Sequence, residues 1–312
     1  MTALEIVFLV LGLVLAIAIL FFFLASEVMY RICLKRENIT TKIISKVTYK
    51  NLHKYKFDFS WWNSVVVKKI YLNSSDNIKL CGKIIENNKN KFAIVVHGYG
   101  ANSSEMQLYA KMFYDFGFSV VAPDNRAHGD SGGKTITMGY HDKFDILRWI
   151  EYINQNYNNP EIVVFGLSMG GATVCMLSGL ELPENVKAIV SDCAYTSAYD
   201  IFKEIQQKSI VFSIIPLVKL FDAYSKKRVG FRPSEANALL GVSQTKTPIL
   251  FIHGSRDKFV PFYMQTLLYD ITPKHLRDKL VIKGVGHAEC LPSAENQYKD
   301  KVKEFLQKYI KF

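Results

Sequence analysis

A chain of 312 residues, 49% of them hydrophobic, can bury a sizeable core, which excludes a low-complexity protein and allows one large α/β domain or two small ones. The formal net charge is +11, from 39 Lys and Arg against 28 Asp and Glu. Much of that excess is local: Arg31, Lys35, Arg36, Lys42, Lys46, Lys50, Lys54 and Lys56 face a single acid, Glu37. Charge placed this way speaks against a nucleic-acid binder, which carries it on a folded face among stacking aromatics.

The chain opens on an uncharged, almost wholly apolar run from Ile6 to Ser26. A helix needs about 20 such residues to cross about 30 Å of hydrocarbon, so residues 1–30 read as a transmembrane anchor. A cleaved signal peptide is the alternative. It would want a basic start, a shorter apolar run and a small-x-small cleavage site, whereas Met1–Glu5 has no Lys or Arg and Leu24-Ala25-Ser26-Glu27 is a poor match. The basic stretch falls in residues 31–63, a juxtamembrane linker suited to anionic headgroups and equally to a solvated tether. Positive residues on the C-terminal side of the helix alone favour a cell-membrane protein with a cytoplasmic C-terminal domain, the extracellular face being the alternative. The cysteines at 33, 81, 175, 193 and 290 are odd in number and unspaced, which agrees with free thiols in a reducing compartment.

From residue 64 to 312 strands and helices alternate. Val65–Leu72 and Ile78–Ile85 read as strands joined by a turn at Asn73–Asn77. Phe92–Val96 is a short continuous apolar run, as a buried parallel strand should be. A helix is expected over Ser103–Phe116, a strand over Phe118–Ala122, a helix over His141–Asn156 and a strand over Glu161–Phe165. Ser168–Leu180 reads as a helix, Lys187–Ser191, Pro248–His253 and Lys279–Lys283 as strands, and Ser293–Ile310 as an amphipathic closing helix with Ser293 as N-cap. Strands separated by helices predict a mostly parallel sheet covered on both faces. One interval, about 197–245, breaks the rhythm with Ile210–Ile215, Pro216 and Lys226-Lys227-Arg228. Such an insertion forms a lid, or else one more pair of packing helices.

The chemistry centres on Gly166-Leu167-Ser168-Met169-Gly170. By chance the pattern Gly-x-Ser-x-Gly turns up in roughly one chain in ten of this length, so context has to decide. Here it follows a strand and opens a helix of small residues, the arrangement of a nucleophile elbow. A serine hydroxyl needs a base, and in such proteins acid and histidine follow the serine in that order. Of His253, His275 and His287, only His287 lies in a loop after the last strand, at the carboxyl edge where parallel sheets place their sites. His253 reads as holding a turn. Asp257, after the penultimate strand, is the candidate acid, with Asp192 second. The N–H of Met169 and the N–H of Tyr99, in His97-Gly98-Tyr99-Gly100, are the candidate oxyanion donors. His97 itself reads as a structural hydrogen-bonder.

Gly132-Gly133-Lys134-Thr135 has the look of a phosphate loop, but His128 stands where its first glycine is required. There is no His-x-x-x-His, Cys-x-x-Cys or Gly-x-Gly-x-x-Gly after a strand, so neither metal nor cofactor is expected.

Taken together, His97–Gly100, Asp124-Asn-Arg-Ala-His-Gly-Asp-Ser131, Gly166–Gly170, His253–Asp257 and Gly286-His287 resemble the α/β-hydrolase superfamily. They are most similar to its membrane-anchored bacterial serine aminopeptidase-like and Bem46-like branch. The resemblance runs from about Val65 to Phe312 and implies an eight-stranded sheet, helices on both faces, a helical lid and a triad of Ser168, Asp257 and His287. One departure is Asn125-Arg126-Ala127, where the family has glycine beside the arginine. The expected activity is hydrolysis of carboxylic esters, with a lipid-like acyl ester as substrate. A peptidase or amidase with the same triad, or a non-catalytic membrane scaffold, is the alternative.

Overall fold

The computed structural model describes residues 1–43, 55, 60–208 and 216–311; Ile210–Ile215 of the expected lid and Lys46, Lys50, Lys54 and Lys56 of the linker lie outside them. The strands assemble into one eight-stranded sheet: β1 (Lys68–Asn73), β2 (Lys79–Ile85), β3 (Lys91–Val96), β4 (Ser119–Pro123), β5 (Glu161–Leu167), β6 (Val186–Asp192), β7 (Ile249–Gly254) and β8 (Arg277–Ile282). Their order is β1-β2-β4-β3-β5-β6-β7-β8. Only β2 pairs antiparallel, with β1 and β4; every later pairing is parallel. This is the mostly parallel, eight-stranded sheet that the family resemblance implies.

Side-chain alternation explains why the central strands read as unbroken apolar runs. Along β3, Phe92, Ile94 and Val96 enter the core on one face, while Ala93 and Val95 enter the core on the other. Both faces are covered by helices, so neither tolerates a polar residue. The edge strand β1 differs: it is largely exposed and begins with Lys68 and Lys69, charges that discourage pairing with another chain.

The first helix, α1 (Ala3–Met29), starts at a capping box in which Thr2 Oγ1 accepts from the Glu5 N–H and the Glu5 carboxylate accepts from the Thr2 N–H. A π-helical turn, Tyr30–Leu34, extends it. Ala3–Leu34 is long and apolar enough to cross a membrane, and most of its large apolar side chains are exposed. At its end the character changes: Tyr30 and Leu34 are buried in the core of the C-terminal domain.

The observed elements depart from the sequence expectations in three places. The first strand begins at Lys68 rather than Val65. The closing helix, expected over Ser293–Ile310, runs from Glu295 to Leu306, and Ala294, in a non-helical conformation (φ −144°, ψ 54°), separates it from a helical turn at Cys290–Ser293. Ser293 therefore caps nothing, and its hydroxyl donates to Tyr55 Oη instead. Between β7 and β8 stands a helix, Phe262–Ile271, whose fully buried side chains are Met264, Gln265 and Leu268, a stripe too short and too mixed to read.

An ion cluster, buried at Arg126 and Asp145 and half exposed at Asp76, ties the loop after β4 to its neighbours. Arg126, 3% exposed, donates to Asp145 at 2.6 and 2.7 Å and to Asp76 at 2.9 and 3.0 Å. Burial pushes the Asp145 carboxyl up to about 6, with Arg126 pulling the other way. Removing one partner of such a cluster strands the other charge. Arg126→Met should lower the unfolding free energy by about 3–5 kcal/mol, measured by denaturant unfolding at pH 7.

Candidate active site

Ser168 sits between β5 and α2 (Met169–Leu177), with φ 55° and ψ −114°. A non-glycine residue holds so unfavourable a backbone only where the surroundings dictate it. The surroundings here are backbone atoms. A Cβ on Gly166 would lie 2.1 Å from the Gly170 carbonyl oxygen, and one on Gly170 would lie 2.3 Å from that of Val96. The Ser168 N–H donates to the Asp192 carbonyl at 2.8 Å, which pins the elbow to β6.

The loops after β7 and β8 bring two more side chains to this point. His287 Nε2 lies 2.9 Å from Ser168 Oγ, and His287 Nδ1 lies 2.6 Å from Asp257 Oδ2. Asp257 is held in turn: its Oδ1 accepts from the N–H groups of Phe259 and Val260 at 2.8 and 2.9 Å. Its Oδ2 lies 3.2 Å from His253 Nε2, which also donates to the Val260 carbonyl at 2.9 Å. Burial works to raise the Asp257 carboxyl, but His287 and His253 together outweigh it and hold the group far below the usual carboxylate range. A buried carboxylate that stays charged beside an imidazole can orient the ring and stabilise its protonated form.

Asp192, the second candidate acid, is used differently. Its backbone carbonyl holds Ser168, while its carboxyl accepts from Tyr298 Oη at 2.9 Å and its Oδ1 has no partner. Burial pushes it up to about 7, with the Tyr298 hydrogen bond acting against that. His97 is also structural: Nε2 accepts from the Asn125 N–H at 2.9 Å and Nδ1 lies 2.7 Å from the Gly98 carbonyl. Burial lowers its pKa to about 3, so the ring stays neutral.

The two expected oxyanion donors flank the serine. Met169 follows it directly, and on the other side a Cβ on Gly98, the residue before Tyr99, would stand 3.4 Å from Ser168 Cβ. Among the described residues neither N–H has a hydrogen-bond partner. Two neighbours carried no sequence signal: His253 in its bond to Asp257, and Cys193, at φ 47°. The Cys193 thiol groups with Asp257 and His287 within 4.8 Å. Burial keeps that thiol protonated, and the carboxylate and imidazole already bond each other, so the grouping reads as packing around them. His275 lies apart, in a short 3-10 turn at Lys274–Leu276.

With this geometry in view, the relatives are informative. Residues 94–211 match the family model described as the alpha/beta hydrolase fold. The uncharacterized protein YqkD of Bacillus subtilis is 28% identical over 68% of this chain and 70% of its own length. A monoacylglycerol lipase of Mycolicibacterium smegmatis is 26% identical over 57% of this chain and 74% of its own. Among solved structures, the esterase Pf2001 of Pyrococcus furiosus superposes with a TM-score of 0.64 at 26% identity, covering 80% of this chain and 95% of that one.

Asp192 gives the site a pH signature. A carboxyl raised from an ordinary 3.8 to about 7 in the folded protein contributes stability that is full below 3.8 and is lost as pH rises towards 7. Asp192→Asn should remove that loss, so the variant's unfolding free energy relative to the unaltered chain rises across pH 4–7. Denaturant titrations at stepped pH measure the difference.

Proposed function

We propose that this chain, a member of the α/β-hydrolase superfamily, is a serine hydrolase that cleaves carboxylic esters through an acyl-enzyme on Ser168. The observation that carries the reading is the continuous relay from Ser168 Oγ through His287 to Asp257, at 2.9 and 2.6 Å. In the resting state the neutral imidazole donates Nδ1–H to Asp257 and offers its Nε2 lone pair to the serine hydroxyl. Ser168 Oγ attacks the ester carbonyl carbon as its proton passes to Nε2, and the Asp257 carboxylate stabilises the imidazolium so formed. The carbonyl oxygen, now an oxyanion, accepts from the N–H groups of Tyr99 and Met169, each worth about 10²–10³ in rate. Collapse returns the Nε2 proton to the departing alkoxide. Water then repeats the sequence on the acyl-enzyme, giving the free acid and Ser168.

Esters are preferred to amides because the similar proteins include an esterase and a monoacylglycerol lipase. Lipid-like acyl chains suit a site whose insertion between β6 and β7 carries helices α3 (Ala198–Gln207) and α4 (Leu217–Val229), the lid of this reading. The segment Ala3–Leu34 supplies the means of staying where such esters are. The chain is read as a single-pass protein of the cell membrane, with its catalytic domain in the cytoplasm, as the basic residues after α1 favour.

Ser168→Ala should abolish labelling of the full chain by a fluorophosphonate and lower turnover by up to about 10⁶; retained labelling would remove the serine from its role. On p-nitrophenyl acyl esters, kcat/KM should rise from acetyl to longer chains and exceed that on aminoacyl p-nitroanilides. The opposite ranking of esters and anilides would make the protein a peptidase. A reporter fused after Phe312 should signal from the cytoplasm.

A further inference from the structure

We propose that the segment Cys33–Thr41, where the N-terminal helix enters the catalytic domain, is a positioning element of the oxyanion site that acts through the phenol of Tyr99. The inference rests on the hydrolase reading above, since it concerns the donor that Tyr99 offers.

Tyr99 stands between Gly98 and Gly100, so its loop has little stiffness of its own. A backbone donor must nonetheless be held to within a fraction of an ångström of where the oxyanion forms. Restraint comes from both sides. On the inner side His97 Nδ1 lies 2.7 Å from the Gly98 carbonyl. On the outer side the Tyr99 hydroxyl donates to the Cys33 carbonyl at 2.7 Å and accepts from Asn38 Nδ2 at 2.9 Å. The phenol is thus fixed at both its donor and its acceptor, 61 residues from Asn38 in sequence. Burial pushes its pKa up, so it remains a neutral hydroxyl that can do both.

The residues that hold the phenol are themselves locked. Asn38 Nδ2 also donates to the Lys35 carbonyl at 2.7 Å, and Asn38 Oδ1 accepts from the Thr41 N–H at 2.8 Å. Asn38 is 5% exposed, although it lies in the most strongly charged stretch of the chain. The segment also presses on the loop directly: Gly100 has φ +74°, and a Cβ there would stand 2.9 Å from the Thr41 carbonyl oxygen. Upstream, the Ile136 N–H donates to the Leu34 carbonyl at 2.7 Å, and the Arg36 guanidinium donates to the carbonyls of Ser131 and Gly129 at 2.6 and 2.8 Å. A solvated tether would make none of these bonds.

The test uses the full-length protein in detergent, with Tyr99→Phe and Asn38→Ala as separate variants and active sites counted by fluorophosphonate titration. Each should lower kcat per titrated site by about tenfold, less than the 10²–10³ of a lost donor because the N–H is loosened and not removed. KM should stay within about twofold. Affinity for a trifluoromethyl ketone, whose adduct on Ser168 carries an oxyanion, should fall in proportion to kcat. The double variant should be no worse than either single one, since both release the same clamp. If kcat per site and ketone affinity are unchanged while only Tm falls, the clamp is structural and the proposal is overturned. That outcome leaves Ser168-dependent labelling intact, whereas failure of the hydrolase reading appears as labelling that survives Ser168→Ala. Two variants that remove opposite ends of the clamp keep the test decisive if one of them does not fold.

Discussion

Ser168 is held in a conformation it would not choose, and the C-terminal edge of the sheet is arranged around that fact. The strain at φ 55°, ψ −114° persists because the chain has no room to relax: carbonyls of Val96, Gly170 and Asp192 close in on the elbow from three sides. Those carbonyls belong to β3, α2 and β6, so the position of the hydroxyl is a property of the sheet and not of one turn. His287 and Asp257 come to it on loops from β8 and β7, adjacent strands in register with the same core. Ser168 is placed by backbone packing; His287 and Asp257 are placed by hydrogen bonds.

Two buried carboxyls near this point illustrate how environment divides one chemical group into two states. Asp257 has two backbone N–H donors and two imidazoles around it, enough to keep it charged in spite of burial. Asp192 has one phenol and an orphaned oxygen, and burial prevails. Burial acts to raise both, and the donors and imidazoles around Asp257 outweigh it where the single phenol on Asp192 does not. Asp192 is left as a carboxyl that holds its proton into the neutral range, and its contribution to the elbow runs through its backbone.

Much of this is legible in the sequence. The central strands announce themselves as apolar runs because both faces are covered, and the elbow, Asp257 and His287 follow one another on strand ends in an order the topology converts into proximity. What escaped reading has a common cause. The helix Phe262–Ile271 buries too few apolar side chains to leave a stripe, the Ser293 cap failed because Ala294 breaks the closing helix, and Asn38 is hidden among lysines that dominate any composition window. In each case the decisive partner is remote in sequence: Met264 and Leu268 meet a core built by other elements, Ser293 meets Tyr55, and Asn38 meets Tyr99. Residues 31–63 read as linker by charge, yet Leu34, Asn38 and Thr41 are buried. Ala127 marks the reverse case, a departure from the family's glycine that is visible in sequence and turns out to sit at φ 60°, where glycine would rest without strain.

The buried Leu34, at the end of an almost continuous helix from Ala3, has a mechanical consequence. A helix that runs without a flexible joint into a hydrophobic core acts as a shaft rather than a leash. Glu27 reinforces the joint by accepting from Tyr224 and Arg228 of α4. In the membrane-anchored arrangement proposed above, such a shaft would keep the domain from swivelling freely, so that the sheet edge bearing Ser168 holds one bearing towards the lipid plane. For the lipid-like ester proposed above, encounters would then become a search in two dimensions from one fixed bearing.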